Sequence, residues 1–212
     1  MSDSDLKEQV ERASRPKGEP AAAVQRLAAR AAYEGLLDVA YVATDSPLGE
    51  LLLAVTPRGV VRLAYIDEHM GRDDVLEDLA RRVSPRVLEA PSRLDAARRQ
   101  LDDYFAGRRP DFDLPVDLSL VGSFAGRVLE RTAAIPSGEV LTYGEVATEI
   151  GHARASRAVG NALGSNPIPI VVPCHRVVRS GGGLGGYTGG VHRKEHLLGL
   201  ERSGAEARRA TS

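Results

Sequence analysis

The sequence has one cysteine in 212 residues. That excludes an intramolecular disulfide framework and any cysteine-rich zinc site. Tryptophan is absent. No apolar run approaches the roughly 18 residues needed to cross a bilayer, which argues against a membrane protein. The opening MSDSDLKEQVERASRPKGEP has no apolar core of the kind a secretory leader carries. A lone thiol in such a chain points to a reducing compartment, the cytoplasm. A global excess of positive charge is missing too, with 28 Lys+Arg against 29 Asp+Glu. Any nucleic-acid surface must therefore come from local segregation of charge. One long window lacks acids altogether. From His152 to Lys194 there are six cations (Arg154, Arg157, Arg176, Arg179, Arg193 and Lys194) and not one Asp or Glu. Tyr41 to Ala125, by contrast, holds 11 positive and 15 negative residues, a local net of −4. A locally positive face on a neutral protein is what phosphate contact requires. The competing explanation is chance exclusion of acids from a stretch rich in glycine and proline.

The length suits one large domain or two small ones. The pattern predicts an α+β chain: a small N-terminal α/β domain with an antiparallel sheet, then a mostly helical C-terminal domain. We divide it into an extension (1–40), the α/β domain (41–120), the helical domain (121–203) and a tail (204–212). Met1 to Pro20 reads as loose, and Ala21 to Ala32 as a good helix former. Three β-rich runs follow Tyr41, separated by Ser46-Pro47-Leu48-Gly49 and Thr56-Pro57-Arg58-Gly59, the signature of a meander. Helices are predicted over Asp73–Arg82 and over Ser92–Phe105, the second capped by Ser92 with Asp95 three residues on. Leu114 to Leu118 reads as a last strand. Phe124 to Ala134 is amphipathic. Thr142 and Glu145 form a capping box opening TYGEVATEI, which stops at Gly151. A second helix, Ala155 to Leu163, follows closely, giving a helix-turn-helix. Its residues Ala155, Ser156, Ala158, Gly160 and Ala162 are small. Such a helix packs closely on a neighbour, or, beside an acid-free surface, is slim enough to enter a DNA groove.

The run from Asn166 to Val178 carries the chemistry. An apolar, strand-like stretch bracketed by prolines delivers Cys174 at its end, with His175 and Arg176 directly after. Adjacent positive charge favours thiolate, the nucleophilic form, and a histidine can take the thiol proton if a third group orients it. Glu201 is a candidate orienter, and Asn166 a candidate brace for the turn. A lone cysteine is otherwise a small buried hydrophobe. Downstream, SGGGLGGYTGG has seven glycines in eleven residues, and Tyr187 and Thr188 within it are candidate pocket walls. No phosphate-binding GxxxxGK[ST] is present.

The pieces IPSGEVLTYGEVA, RAVGNALGSNPIPIVVPCHRVV and GGYTGG…RKEHLLGLE resemble the C-terminal domain of the O6-alkylguanine-DNA alkyltransferases, with a weaker likeness in SPLGELLLA and DDYFAGRRPDFDLPVDL. The resemblance runs from about Tyr41 to Glu201. It implies single-turnover DNA repair: transfer of an alkyl group from O6-alkylguanine, and from O4-alkylthymine, to Cys174. His175 and Glu201 match the residues that deprotonate the acceptor, through a water. Asn166 matches the brace of the active-site turn, and Tyr143 the residue that pushes at the target nucleotide's phosphate. Arg157 matches the finger that fills the gap left by the extruded base, and Ala155, Ser156, Gly160 and Arg154 lie with it on the DNA-facing element. Tyr187, Thr188, Val172 and Pro169 match the substrate pocket. The implied partner is double-stranded DNA met from the minor groove by a monomer, without cofactor or metal, at the nucleoid when bound. One departure is the helix beginning Phe124-Ala125-Gly126-Arg127-Val128-Leu129, which lacks the family's Phe-Gln start and its Trp. Two other readings compete. A lesion-binding module without transfer activity would have lost the cysteine, which is present. A cysteine hydrolase would not account for the slim, acid-free helix.

Overall fold

A computed structural model describes Arg30 and residues 37–210. The expectations for Met1 to Pro20 and, apart from Arg30, for a helix over Ala21 to Ala32 lie outside the described residues. Strands β1 (Val39–Thr44), β2 (Leu51–Thr56) and β3 (Gly59–Tyr65) form the expected antiparallel meander. Ser46 makes the first turn, its Oγ accepting from Leu48 N at 3.1 Å and donating to Gly49 O at 2.6 Å. A fourth strand, β4 (Val87–Glu89), pairs parallel with β1, giving the order β3-β2-β1-β4.

The sheet is covered on both faces. Helix α1 (Arg72–Arg82) buries Val75 and Leu79 against Val39, Leu52, Ala54 and Val61. Helix α2 (Asp95–Phe105) buries Leu101 and Tyr104 on the opposite face, in a core that continues into the C-terminal half. Two-sided burial is why β2 reads as the unbroken run LLLAV rather than as an alternation.

Two local readings are corrected. Leu114 to Leu118 is not a strand: only Val116 bridges, to Val60, although Pro115 O accepts from Val60 N at 2.8 Å. Pro115 has no N–H to continue a ladder. Gly59, at φ +135°, passes so close that a Cβ there would lie 2.2 Å from Pro115 O. Ser92 does not cap a helix either. Pro91–Leu94 forms a 3-10 turn, and α2 starts at Asp95 without a side-chain cap.

The second half holds α3 (Ser123–Ala133), β5 (Leu141–Thr142), α4 (Tyr143–Glu149), α5 (Ser156–Gly164), β6 (Val177–Val178) and α6 (Val191–Ala210). The capping box is formed as expected: Glu145 N donates to Thr142 Oγ1 at 3.2 Å, and Thr142 N to Glu145 Oε2 at 2.6 Å. Gly151, at φ +78°, turns the chain from α4 toward α5. Helix α6 continues through Ala210, so most of the expected tail is helical.

The stretch 166–173 is not a strand. Prolines 167, 169 and 173 deny it a ladder. It folds instead into tight buried turns, with Val171 N donating to Pro169 O and Val172 N to Ile168 O, both at 2.9 Å. Ile170 takes φ 73°, a left-handed conformation rare for a β-branched residue. Leu63 N donates to Pro167 O at 2.9 Å, docking these turns on the outer edge of β3. No helix among the described residues is long and apolar enough to cross a membrane.

Candidate active site

Cys174 opens a 3-10 turn (Cys174–Arg176) at the end of the proline-rich turns and is buried. Asn166 braces those turns internally, Nδ2 donating to Val172 O at 2.8 Å and Oδ1 accepting from Ile168 N at 3.0 Å. Behind the thiol lies a fully buried polar network. His175 Nε2 and Glu201 Oε1 are 2.9 Å apart. Arg176 Nε donates to Glu201 at 3.0–3.1 Å and its Nη2 at 2.8 Å. Tyr104 Oη, on α2, donates to Glu201 Oε1 at 2.8 Å. Arg176 also reaches Asp111 at 2.9 Å and the carbonyl of Ile135.

The electrostatics of this network settle a tautomer. Burial works to raise the Glu201 pKa, but the hydrogen bonds and charges of His175 and Arg176 outweigh it and hold the carboxyl at about 2. An ionised carboxylate only accepts, so His175 Nε2 carries the proton. Burial lowers the pKa of His175 further than Glu201 raises it. The ring is thus neutral, and its Nδ1 presents a lone pair. That atom is buried without a hydrogen-bond partner among the described residues.

One expectation fails here. Arg176 does not activate the thiol, because its guanidinium turns away to Glu201 and Asp111. Burial pushes Cys174 up to about 11, against the pull of the Asn166 side chain and the Lys194 ammonium. The nearby cation is Lys194, which sequence reasoning counted only as surface charge. It is fully buried, donates to Val177 O at 2.6 Å, and is lowered by that burial to about 8. A usable signal existed: Lys194, Leu197, Leu198 and Glu201 follow the i, i+3, i+4, i+7 stripe of a core-facing helix. Tyr104 lies on a similar stripe with Ala97 and Leu101, but nothing in that spacing points to Glu201 as its partner.

In front of the thiol lies a cavity of about 830 Å³. Cys174, Tyr143, Ser156, Arg157, Gly160, Tyr187 and Thr188 all line it, joined by Asn161, Arg179 and Ser180, which were not singled out. Gly160 lies against the Tyr143 ring, at a distance where a Cβ would make ordinary contact with it, 3.7 Å. Burial raises the Tyr143 pKa, so its hydroxyl stays protonated and can donate. Thr188 Oγ1 donates to Gly164 O at 2.9 Å, tying the glycine-rich loop to the end of α5. Ala155 is the N-cap of α5, and Arg154 is exposed in the turn before it; neither lines the cavity. Val172 is buried behind the turn, and Pro169 faces a second cavity of about 470 Å³, which shares Tyr187 and Thr188 with the first. Neither is among the residues that line the first cavity.

The positive face is smaller than the charge window implied. Arg176 and Lys194 are buried, and Arg193 pairs with Asp67 at 2.9 Å. Arg154, Arg157 and Arg179 remain exposed. No group of three or more His, Cys, Asp or Glu among the described residues is placed to hold a metal ion.

The network predicts an acid limb in stability. The folded-state pKa of His175 lies below its ordinary 6.5, and that of Glu201 lies at about 2 against 4.5. Both groups bind protons more readily when unfolded. Their stabilisation is complete above about pH 6.5, starts to fall below that as His175 is driven to charge, and falls further between about 4.5 and 2. The Glu201 share is on the order of 3 kcal/mol. Urea midpoints measured from pH 7 to pH 3 should drop with this profile, and a Glu201→Gln variant should lose the lower limb. A flat wild-type profile to pH 4 would contradict the assignment.

Comparison with known proteins covers both halves of the chain. Residues 39–118 match the family model described as 6-O-methylguanine DNA methyltransferase, ribonuclease-like domain, and residues 123–203 match the DNA binding domain of the same name. A methylated-DNA–protein-cysteine methyltransferase of Mycolicibacterium paratuberculosis is 44% identical over 172 residues, 77% of this chain and 93% of that protein. One of Methanosarcina acetivorans is 42% identical over 164 residues, covering 77% and 98%. The crystal structure of Mycobacterium tuberculosis OGT in complex with DNA superposes with a TM-score of 0.67 at 39% identity, over 78% of this chain and 94% of that one. Matches of this length, running through the sheet, the slim helix and the reactive turn alike, make the chain a member of the methylated-DNA–protein-cysteine methyltransferase family.

Proposed function

We propose that this protein repairs duplex DNA by moving one alkyl group from O6-alkylguanine to Cys174, acting once per molecule. What supports this reading above all is the single cysteine, buried and lining a cavity walled by the slim helix α5, followed in the same turn by a histidine whose Nδ1 has no hydrogen-bond partner among the described residues.

The target oxygen is inside the duplex, so the base must leave the stack, at a cost of a few kcal/mol. Small residues along α5 fit a minor-groove approach, and Arg157 at the cavity's rim is in position to fill the gap. The Cys174 proton passes to His175 Nδ1, through a water, while Glu201 holds the ring. Sγ then attacks the alkyl carbon. The S–C bond forms as the O6–C bond breaks, and the electron pair goes to the guanine, which takes a hydrogen bond or proton from Tyr143. One proton leaves the thiol and one reaches the guanine. The thioether has no easy leaving route, so turnover stops. O4-alkylthymine has the same reacting bond and is a second candidate substrate.

Incubation with an O6-methylguanine duplex, followed by intact mass and peptide mapping, tests this. We expect one methyl per protein, on Cys174, in a burst that ends at one equivalent. Sustained turnover would indicate a hydrolase. Tight binding without mass gain would indicate a lesion-binding module.

Arg157 gives a second test. Arg157→Ala should slow repair in duplex DNA by roughly ten- to a hundred-fold, a loss of about 1.4–2.7 kcal/mol. Reaction with free O6-benzylguanine, which needs no flipping, should be nearly unchanged. Equal slowing on both substrates would place Arg157 in support of the active site itself.

A further inference from the structure

The cavity wall beside Cys174 is held from behind by the N-terminal half. Tyr187 lines both cavities, the one with Cys174 in front and the smaller one at its back. Across that back, Tyr187 Oη and Tyr65 Oη are 2.9 Å apart. Tyr65 is the last residue of β3 and is buried. Burial raises both phenols above their ordinary pKa, so both stay protonated and the pair shares a neutral hydrogen bond. The two rings meet edge to face, with centroids 6.3 Å apart, and Tyr187 meets the His175 ring in the same way at 6.3 Å.

Tyr65 is itself clamped. The Arg193 guanidinium stacks on its ring at 4.3 Å from the centroid. Arg193 is held in turn by Asp67 at 2.9 Å, Gly189 O at 3.0 Å and Leu48 O at 3.2 Å. The backbone at Gly189 passes against both rings: a Cβ there would lie 2.5 Å from Tyr65 Cε2 and 3.0 Å from Tyr187 Cε1. The sheet thus reaches the acceptor pocket through one phenol, and the glycine-rich loop is pinned to it where flexibility would blur the wall.

We propose that Tyr65 is a positioning residue for the acceptor pocket, its hydroxyl setting the Tyr187 wall against which the alkylated base is seated. The proposal rests on the alkyl-transfer reading above. It assigns the N-terminal half a part in substrate recognition that does not pass through DNA contact. Loss of one neutral hydrogen bond should weaken seating by about three- to ten-fold. The chemical step, which belongs to Cys174 and His175, should change little.

The test uses the full chain and free O6-benzylguanine, with benzyl transfer to Cys174 followed by mass over a concentration series. Tyr65→Phe keeps the ring, its packing and the arginine stack, and removes only the hydroxyl. We expect its half-saturating concentration to rise about three- to ten-fold, with the limiting rate within about two-fold and affinity for unmodified duplex unchanged. Tyr187→Phe should behave alike, and the double variant should be no worse than the poorer single, because both remove one bond. Additive losses, or a Tyr65→Phe variant that seats benzylguanine like wild type while Tyr65→Leu fails, would leave only packing and overturn the proposal. Wild-type protein that takes no benzyl group would overturn the transfer reading and the proposal together. Active wild type with an unaffected Tyr65→Phe would overturn the proposal alone.

Discussion

A buried carboxylate sets the terms for this molecule. Glu201, on the inner stripe of α6, is almost entirely out of water. A charge there is tolerable only if its lone pairs are met by good donors. They are met from three directions: His175 and Arg176 in the reactive turn, and Tyr104 on α2. The last helix, the reactive turn and the N-terminal half therefore share one electrostatic centre. Removing Arg176, the charged partner among the three, would strand a buried charge, an error typically worth about 3–5 kcal/mol.

The same centre shapes the reactivity. Because Glu201 only accepts, it fixes the proton of His175 on Nε2 and leaves Nδ1 as the base. Because Glu201 and Asp111 engage Arg176, that cation is withdrawn from the thiol. Burial pushes the Cys174 pKa up to about 11, so at neutral pH the thiol rests protonated. In the proposed reaction its proton is therefore removed as the reaction proceeds, by His175, and not beforehand by neighbouring charge. The helix-turn-helix, the glycine-rich loop and the β3 edge add the cavity in front.

Much of this was legible in the sequence, and the failures share a cause. Periodicity and turn chemistry located the meander, the capping box at Thr142 and Glu145, and the helix pair, because those features are decided within a few residues. Cys174, His175 and Asn166 stood out as candidates from the motif around the lone cysteine and Glu201 from the RKEHLLGLE segment, and the structure brings His175 against Glu201 and sets Asn166 across the turn. The errors came where long-range packing decides. Residues 166–173 look like a strand by composition, yet their prolines and their docking on β3 turn them into a set of buried turns. Arg176 looks like an activator beside Cys174, but the side chain follows the buried carboxylate 25 positions away. Lys194 was counted as surface and is core. The contributions of Tyr104 and Tyr65 from the other half had no local signal.

The central claim is that burial keeps His175 neutral while Glu201 fixes its proton on Nε2, leaving Nδ1 free to take the thiol proton. Selective 15N labelling of histidine, with His175 assigned by a His175→Gln variant, reads the two ring nitrogens directly at pH 7. The account predicts a protonated, pyrrole-type Nε2 and an unprotonated, pyridine-type Nδ1. That state should persist as the pH falls below the ordinary histidine value of 6.5. A ring protonated on both nitrogens at pH 7, or one with its single proton on Nδ1, would contradict it.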